Sequence, residues 1–260
     1  MANVPSAPFV DIHSHVLHGL DDGAASLEES VAMLAIAEAG GTSDLVATPH
    51  ANSQYAFRPE VVAQRIDELQ ARTRVRLHPG CDFHLHADNI HDALAHPEKY
   101  TINHGAYLLV EFPDMGVFRA ADEIFRQLLE AGLVPIISHP ERNPHVMGQL
   151  PDLARWVGDG CYVQVTAGSY EGLFGPEVRR GAVRLFEAGL THFVASDAHS
   201  PRRRTPDLRP AYDKMCDRWG EAAVRPLFVE NPGAAVRSET LPFEPPVNAD
   251  QARKWYRFWR

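Results

Sequence analysis

Histidine and carboxylate side chains recur at the C-terminal ends of short apolar runs along this chain, which is where a metal site would need them. The first run ends Asp11-Ile12-His13-Ser14-His15. In an extended segment alternate side chains share a face, so His13 and His15 point to one side and can grip one ion. Just beyond, Gly19-Leu20-Asp21-Asp22-Gly23 offers carboxylates in a loop, although Asp-Asp-Gly is also a common turn. Later runs end Ala47-Thr48-Pro49-His50, Gly80-Cys81-Asp82-Phe83-His84, Leu109-Val110-Glu111-Phe112, Ser138-His139-Pro140-Glu141-Arg142 and Ala195-Ser196-Asp197-Ala198-His199. A single His-x-His pair is weak evidence, because two satisfied surface histidines would explain it. The repeated delivery of His, Asp or Glu at the same end of apolar runs has no comparable structural explanation, since carboxylates are rarely buried without a partner.

Mixed imidazole and carboxylate ligands suit borderline-hard divalent ions such as Mn²⁺, Zn²⁺ or Fe²⁺. The three cysteines, Cys81, Cys161 and Cys216, lie far apart without a Cys-x-x-Cys pair and read as small buried hydrophobes. None has an arginine six positions later, so the phosphate loop of cysteine-nucleophile phosphatases is absent. The candidate ligands outnumber what one ion needs. A cluster of two or three ions fits them, and such clusters suit phosphate-ester hydrolysis.

These groups need a scaffold that brings strand ends together. β-rich runs at residues 9–13, 44–48, 75–78, 107–112, 134–138, 162–166 and 192–196 alternate with helical segments. Ser26 and Glu29 form a capping-box pattern for the first helix, with Leu27, Val31 and Leu34 on one face and Gly40-Gly41 at its end. Pro59 starts a second helix carrying Val62, Ile66 and Leu69. A third spans about Arg119 to Gly132 with Ile124, Leu128 and Ala131 inward, and a fourth follows Pro176 with Val183 and Phe186 inward. Seven strand-helix units predict a parallel sheet closed, or nearly closed, into one barrel, whose strand C-termini share the face where active sites lie.

No linker divides the chain before about Leu241, so residues 1–240 read as one domain and 241–260 as a tail. Pro242, Pro245 and Pro246 break regular structure there. The tail finishes Arg253-Lys254-Trp255-Tyr256-Arg257-Phe258-Trp259-Arg260, whose interleaved cations and aromatics suit a partner, an anionic membrane surface or packing on the barrel itself. A formal charge of −9 argues against non-specific nucleic-acid binding. With neither a leader-like N-terminus nor an 18-residue apolar run, the expected location is the cytoplasm. None of these features specifies an oligomeric state.

The motifs DIHSH, ATPH, VEFP, SHPERN and ASDAH, in this order and spacing, are similar to those of the polymerase-and-histidinol-phosphatase (PHP) superfamily. HxH followed by GLDDGA and SLEES resembles its bacterial capsule-locus protein tyrosine phosphatases, and the resemblance runs from about Phe9 to Val236. It implies a distorted TIM-like (β/α)7 barrel and three divalent ions, most often manganese. Carried over, His13, His15 and Asp197 would hold the first ion, Glu111 and His139 the second, and Asp22, His50 and His199 the third. Asp82 would bridge the first two, although the family has Glu there and this chain reaches with one methylene less; His84 and His86, just beyond, could compensate, but exposed loop residues are the favoured reading. The resemblance places catalysis on Arg142, Asp197 and His199, with Arg142 binding phosphate and Arg204, among Arg202, Arg203 and Arg204, as a second clamp. The implied substrate is phosphotyrosine on a membrane-tethered bacterial tyrosine kinase controlling capsule or exopolysaccharide assembly. The rivals are a small-molecule phosphatase such as histidinol-phosphatase, a polymerase-associated nuclease and a non-catalytic metal-binding scaffold.

Overall fold

The computed structural model describes residues 8–113 and 120–247. Strands β1 (Phe9–Ser14), β2 (Thr42–Ala47), β3 (His50–Ala51), β4 (Arg76–Pro79), β5 (Asp82–His84), β6 (Tyr107–Glu111), β7 (Val134–Ser138), β8 (Tyr162–Thr166) and β9 (Phe193–Ala195) carry the chain. Every ladder among the described residues is parallel. All seven expected strands are present, but the second and third are interrupted, which yields the additional short strands β3 and β5. One break falls at Thr48-Pro49, where proline has no N–H to give a ladder. The other falls at Gly80-Cys81, where a Cβ on Gly80 would come within 2.6 Å of Val46 Cγ1.

The breaks divide the strands into one sheet ordered β1-β2-β4 and another ordered β3-β5-β6-β7-β8-β9. The expected closed seven-stranded sheet is therefore not formed. Instead, β1 meets the end of β9 through a single parallel bridge, Ser14 to Ala198. Asp197 N–H donates to His13 O at 2.8 Å and His15 N–H to Ala198 O at 2.9 Å. The buried Asp11 carboxylate accepts from Ser196 N–H at 3.0 Å, tying the two strands where no ladder does.

Helices α1 (Leu27–Gly40), α2 (Pro59–Gln70), α3 (Ala87–Ala95), α4 (Ala121–Glu130), α5 (Pro144–Met147), α6 (Leu150–Gly158), α7 (Ala167–Glu171) and α8 (Pro176–Glu187) follow successive strands. Then α9 (Arg209–Trp219), α10 (Glu221–Phe228) and α11 (Glu230–Val236) close the described helical part. The four expected helices all form, with Ser26 as the N-cap of α1 accepting from Glu29 N–H. Glu29 itself reaches back to the N–H of Ala25, one residue before the cap. Val62 and Leu69 of α2, Leu34 of α1 and Leu128 of α4 are buried as expected, but the stripes are completed by Met33 and Ala37 in α1 and Phe125 in α4, and that of α8 is Ala182 and Leu185. Val31, Ile124, Val183 and Phe186 are only half-buried, and Ala131 is exposed.

The central strands are buried on both faces. Tyr107 and Leu109 pack with Ile136, Phe193 and the α11 residues Ala234 and Ala235. Leu108 and Val110 pack outward with Phe125, Leu128 and Leu185. Each fully buried side chain of this size contributes about 1.5–3 kcal/mol, so the strand ends that carry the polar groups rest on a stiff wall. The three cysteines are buried and unpaired, as expected. Leu241 is buried, Phe243 exchanges backbone hydrogen bonds with the Asn231 side chain, and Tyr162 donates to Glu244, so residues 241–244 pack on the body. The basic-aromatic tail at 253–260 lies outside the described residues.

Candidate metal centre

Strand polarity sends the polar ends of β1, β3, β5, β6, β7 and β9 to one region, where four overlapping donor groups form. They are His13, His15 and Asp197; His15, Asp22, His50 and His199; His50, Asp82, His84 and Glu111; and His13, Asp82 and His139, with the ligand atoms of each group within 4.8 Å of one another. All nine residues expected as ligands fall in these groups, joined by His84, which the sequence offered as compensation for the shorter Asp82 while favouring an exposed loop residue. The signal was available, because Asp82 and His84 alternate on β5 as His13 and His15 do near β1. His84 Nε2 contacts Glu111 Oε2 directly. His86 stands apart, with its side chain 55% exposed.

Surrounding groups orient the imidazoles. His13 Nδ1 lies 3.0 Å from Gln164 Oε1, and His15 Nδ1 lies 2.7 Å from Asp21 Oδ2. With both Nδ1 atoms occupied by acceptors, both Nε2 lone pairs are left for a shared ligand, and the two Nε2 atoms sit 3.2 Å apart. Asp21 also accepts from the N–H of Gly23 and of His50, so the Asp-Asp-Gly run is both a turn and part of the site. Asp21 points inward to orient, whereas Asp22 reaches His50 and His199, each at 3.4 Å. The resemblance names Asp22 as the ligand, but the orienting role of Asp21 and of Gln164 was missed.

His139 and Asp197 both hold left-handed backbone, φ 31° and 50°, a strained geometry for non-glycine residues that recurs at functional positions. Glu141, next to them, is fully buried and accepts from Thr166 N–H at 2.9 Å and Ser169 Oγ at 2.7 Å, fastening the turn that carries Arg142. Arg142 and Arg204 both donate to Asp197 Oδ2. Their neighbours do not join them: Arg202 is 83% exposed and pairs with Glu29, and Arg203 is exposed. A cavity of about 80 Å³ opens beside Glu111, His139 and Arg142.

The electrostatics of the cluster are those of anions short of a cation. Burial opposes charge on Asp197, yet His13, His15, Arg142 and Arg204 hold its carboxyl well below the usual range. Asp82 is likewise held low against burial by His13 and His50. Burial lowers the affinity of His50 for a proton, but Asp22, Asp82 and Glu111 outweigh it and hold the imidazole up at about 11. The same balance, through Asp21 and Asp197, holds His15 at about 9. Burial and Arg142 push His139 the other way, well below its ordinary value. Among the described residues, both carboxylate oxygens of Asp82 and Nδ1 of His50 are buried without an aligned hydrogen-bond partner, and Oε2 of Glu111 meets only the His84 ring and, at 3.6 Å, that of His50. His50 Nδ1 is 3.1 Å from Asp82 Oδ2 without being aligned for a bond. Buried donors of hard and borderline type, facing one another with only histidine protons between them, fit divalent cations, which would take the place of those protons.

Known proteins resemble this chain in sequence and fold. Tyrosine-protein phosphatase YwqE of Bacillus subtilis is 33% identical over 96% of this chain and 100% of its own length. Tyrosine-protein phosphatase CpsB of Streptococcus pneumoniae is 29% identical over 89% of this chain and 100% of its own. A solved structure described as that of YwqE and CpsB, "unique metal-dependent tyrosine phosphatases", superposes with a TM-score of 0.83 at 32% identity, covering 92% of this chain and all of the other. A β-aspartyl dipeptidase from Fervidobacterium islandicum AW-1 superposes at 0.54 with 12% identity over 88% of this chain and 74% of its own, a likeness of fold alone. The family model for capsular polysaccharide synthesis, CpsB/CapC, matches residues 9–237, and the chain belongs to that family.

Proposed function

We propose that this protein is a metal-dependent protein-tyrosine phosphatase, a phosphoric monoester hydrolase acting on phosphotyrosine proteins. The observation that carries the reading is the convergence of Arg142 and Arg204 on Oδ2 of Asp197, itself a member of the donor cluster. Two forks of cationic N–H donors beside a set of metal ligands suit a phosphoryl group.

Three ions account for the donor count. His13, His15 and Asp197 would hold one, Glu111 and His139 a second, and Asp22, His50 and His199 a third. Asp82 belongs to two of the observed groups, which supports its role as a bridge despite the shorter side chain. Manganese is the ion we favour, with zinc or iron also suited to the donors. Divalent ions bound there lower the pKa of water from 15.7 to about 7 and offset phosphoryl charge. Arg142 and Arg204 orient the phosphoryl group, and Asp197 fixes both guanidiniums. His199, close to Asp22 and Asp197, completes the catalytic set with Arg142 and Asp197. A tyrosine leaving group, of pKa about 10, departs with less acid assistance than an alkyl alcohol. The two sheets act as one distorted barrel whose strand C-termini form the mouth.

The substrate is the phosphorylated tail of a membrane-bound bacterial tyrosine kinase that governs capsule or exopolysaccharide assembly, met from the cytoplasm. Among the described residues no helix is long and apolar enough to cross a membrane. Residues 253–260 would bring the enzyme to that surface, and a truncation after Val247, which spares the packed segment, should lower turnover of vesicle-bound kinase while leaving peptide turnover intact.

The deciding experiment is steady-state hydrolysis of a phosphotyrosine peptide against histidinol phosphate, on protein stripped of metal and reloaded with Mn²⁺, with His139→Ala in parallel. Metal-dependent peptide turnover that the substitution abolishes supports the reading. Preference for histidinol phosphate would move the chain to small-molecule chemistry, and silence on both would favour a scaffold.

A further inference from the structure

The loop after α7 presents an aromatic ring that the donor cluster does not account for. Gly172 and Gly175 both have positive φ, 91° and 93°, which favours glycine, and they bracket Leu173 and Phe174. Leu173 N–H donates to Gly168 O at 2.9 Å, and Gly175 N–H to Gly172 O at 3.0 Å. Gly168 lies so close beneath that a Cβ there would come within 2.9 Å of Leu173 Cδ2 and 3.6 Å of Phe174 Cε2. Backbone geometry thus fixes where the Phe174 ring stands.

Two guanidiniums lie over that ring, Cζ of Arg142 at 4.8 Å from its centroid and Cζ of Arg204 at 5.6 Å. They come from separate segments, one after β7 and one after β9, and they are the same pair that meets on Asp197 Oδ2. Two like charges drawn together repel, and one carboxylate oxygen gives them a shared anchor on one side only. An aromatic face attracts each cation through its quadrupole. It has no strong acceptor, so the in-plane N–H donors stay available to an incoming anion. An aliphatic residue would fill the space without that attraction.

We infer that Phe174 is a positioning residue for phosphoryl recognition, holding Arg142 and Arg204 as a pair whose N–H edges meet one tetrahedral anion. The inference rests on the phosphoryl-site reading above and adds a residue to it.

The test uses full-length, Mn²⁺-loaded protein with Phe174→Leu, Phe174→Tyr and Phe174→Trp. Inorganic phosphate affinity is read by calorimetry, and KM and kcat with a phosphotyrosine peptide. Phe174→Leu should weaken phosphate binding about three- to tenfold and raise KM by a similar factor, while Tyr and Trp stay within about twofold. Metal content per chain should not change. In an Arg142→Ala background the effect of Phe174→Leu should shrink, as expected when two residues act on one group. Equal phosphate affinity in Phe174→Leu and the parent, or equal losses in all three variants, would overturn the inference. Should Phe174→Leu fail to fold, trifluorophenylalanine at position 174 keeps the shape and weakens the ring's negative face. It should weaken phosphate binding, and unchanged binding would reduce the ring to a filler. Phosphate binding needs no turnover, so a protein inert toward phosphotyrosine whose phosphate affinity still follows the ring would sink the phosphatase reading and leave this one standing.

Discussion

Asp197 is bound to His13 twice, by its backbone N–H to the His13 carbonyl at 2.8 Å and by its carboxylate Oδ1, 3.4 Å from the His13 ring. The two lie far apart in the sequence, and no strand ladder among the described residues joins them. Asp11 accepts from Ser196 N–H, and Ser196 Oγ donates back to His13 O, so small polar groups perform the alignment that a closed sheet would have supplied. The left-handed backbone at Asp197 turns its side chain back onto the cluster.

Asp197→Asn preserves shape and removes the charge. Without it Arg142 and Arg204 lose their shared anion and one donor group loses its carboxylate. We expect kcat/KM on a phosphotyrosine peptide to fall by at least about a hundredfold, corresponding to several kcal/mol of charge stabilisation. Metal content, read by elemental analysis, should fall below that of the parent. Full metal content with unaltered kinetics would remove Asp197 from the centre.

Chelation should destabilise the folded protein as well as silence it. With the cations gone, the Asp82 oxygens, which lack aligned hydrogen-bond partners, remain buried. Ligand binding stabilises by about 2.7 kcal/mol at a hundredfold excess over Kd, so the thermal midpoint should drop on metal removal and recover with added Mn²⁺. An identical midpoint in both states would mean that no ion is bound by the native form.

How much of this was legible in the sequence varies by element. The seven strands and most of the clustered donors followed from apolar runs ending in His, Asp or Glu, because a parallel sheet delivers its strand ends to one face, whereas the choice of Asp22 came from the family resemblance alone. The sheet break did not, because it depends on how closely Gly80 approaches Val46, a tertiary distance. Nor did the helix faces of α4 and α8, where Phe125 and Leu185 won the buried stripe through packing against the sheet. Asp21 and Asp22 are adjacent in a loop, and loop residues have no periodicity to say which points inward.

Asp21 should therefore behave as an orienting residue. Its carboxylate holds His15 Nδ1 at 2.7 Å and the His50 N–H at 3.1 Å. Asp21→Asn should weaken metal affinity about ten- to a hundredfold, the usual cost of losing such a partner, and excess Mn²⁺ should restore most of the rate. A loss that metal cannot rescue would argue for a role in chemistry instead.

His192 sets an acid limit remote from the cluster. It is buried, its Nδ1 accepts from Val163 N–H at 3.1 Å, and burial pushes its pKa from 6.5 down to about 4. A lowered histidine pKa means the unfolded chain binds the extra proton first, so stability is intact above pH 6.5 and is lost as pH falls toward 4. The loss amounts to about 3 kcal/mol over that window. Urea unfolding of metal-free protein at pH 7 and pH 4.5 should show it, and His192→Asn should flatten the difference between the two. Parallel curves for parent and variant would assign the acid sensitivity elsewhere.

The arginine triplet gives the sharpest contrast, because three identical neighbours occupy different surroundings. Arg204 is 22% exposed and donates to a buried carboxylate, whereas Arg202 is 83% exposed and pairs with Glu29. Hydrogen bonds to charged groups contribute about 1.5–3 kcal/mol, while exposed ion pairs contribute about 0–1 kcal/mol. Arg204→Ala should thus lower kcat/KM about ten- to a hundredfold, chiefly through KM if the pair binds the phosphoryl group equally in substrate and transition state. Arg202→Ala and Arg203→Ala should stay within about twofold of the parent. Equal losses across the triplet would mean that the three act as a diffuse cationic field on an acidic substrate, and the clamp formed with Arg142 would have to be abandoned.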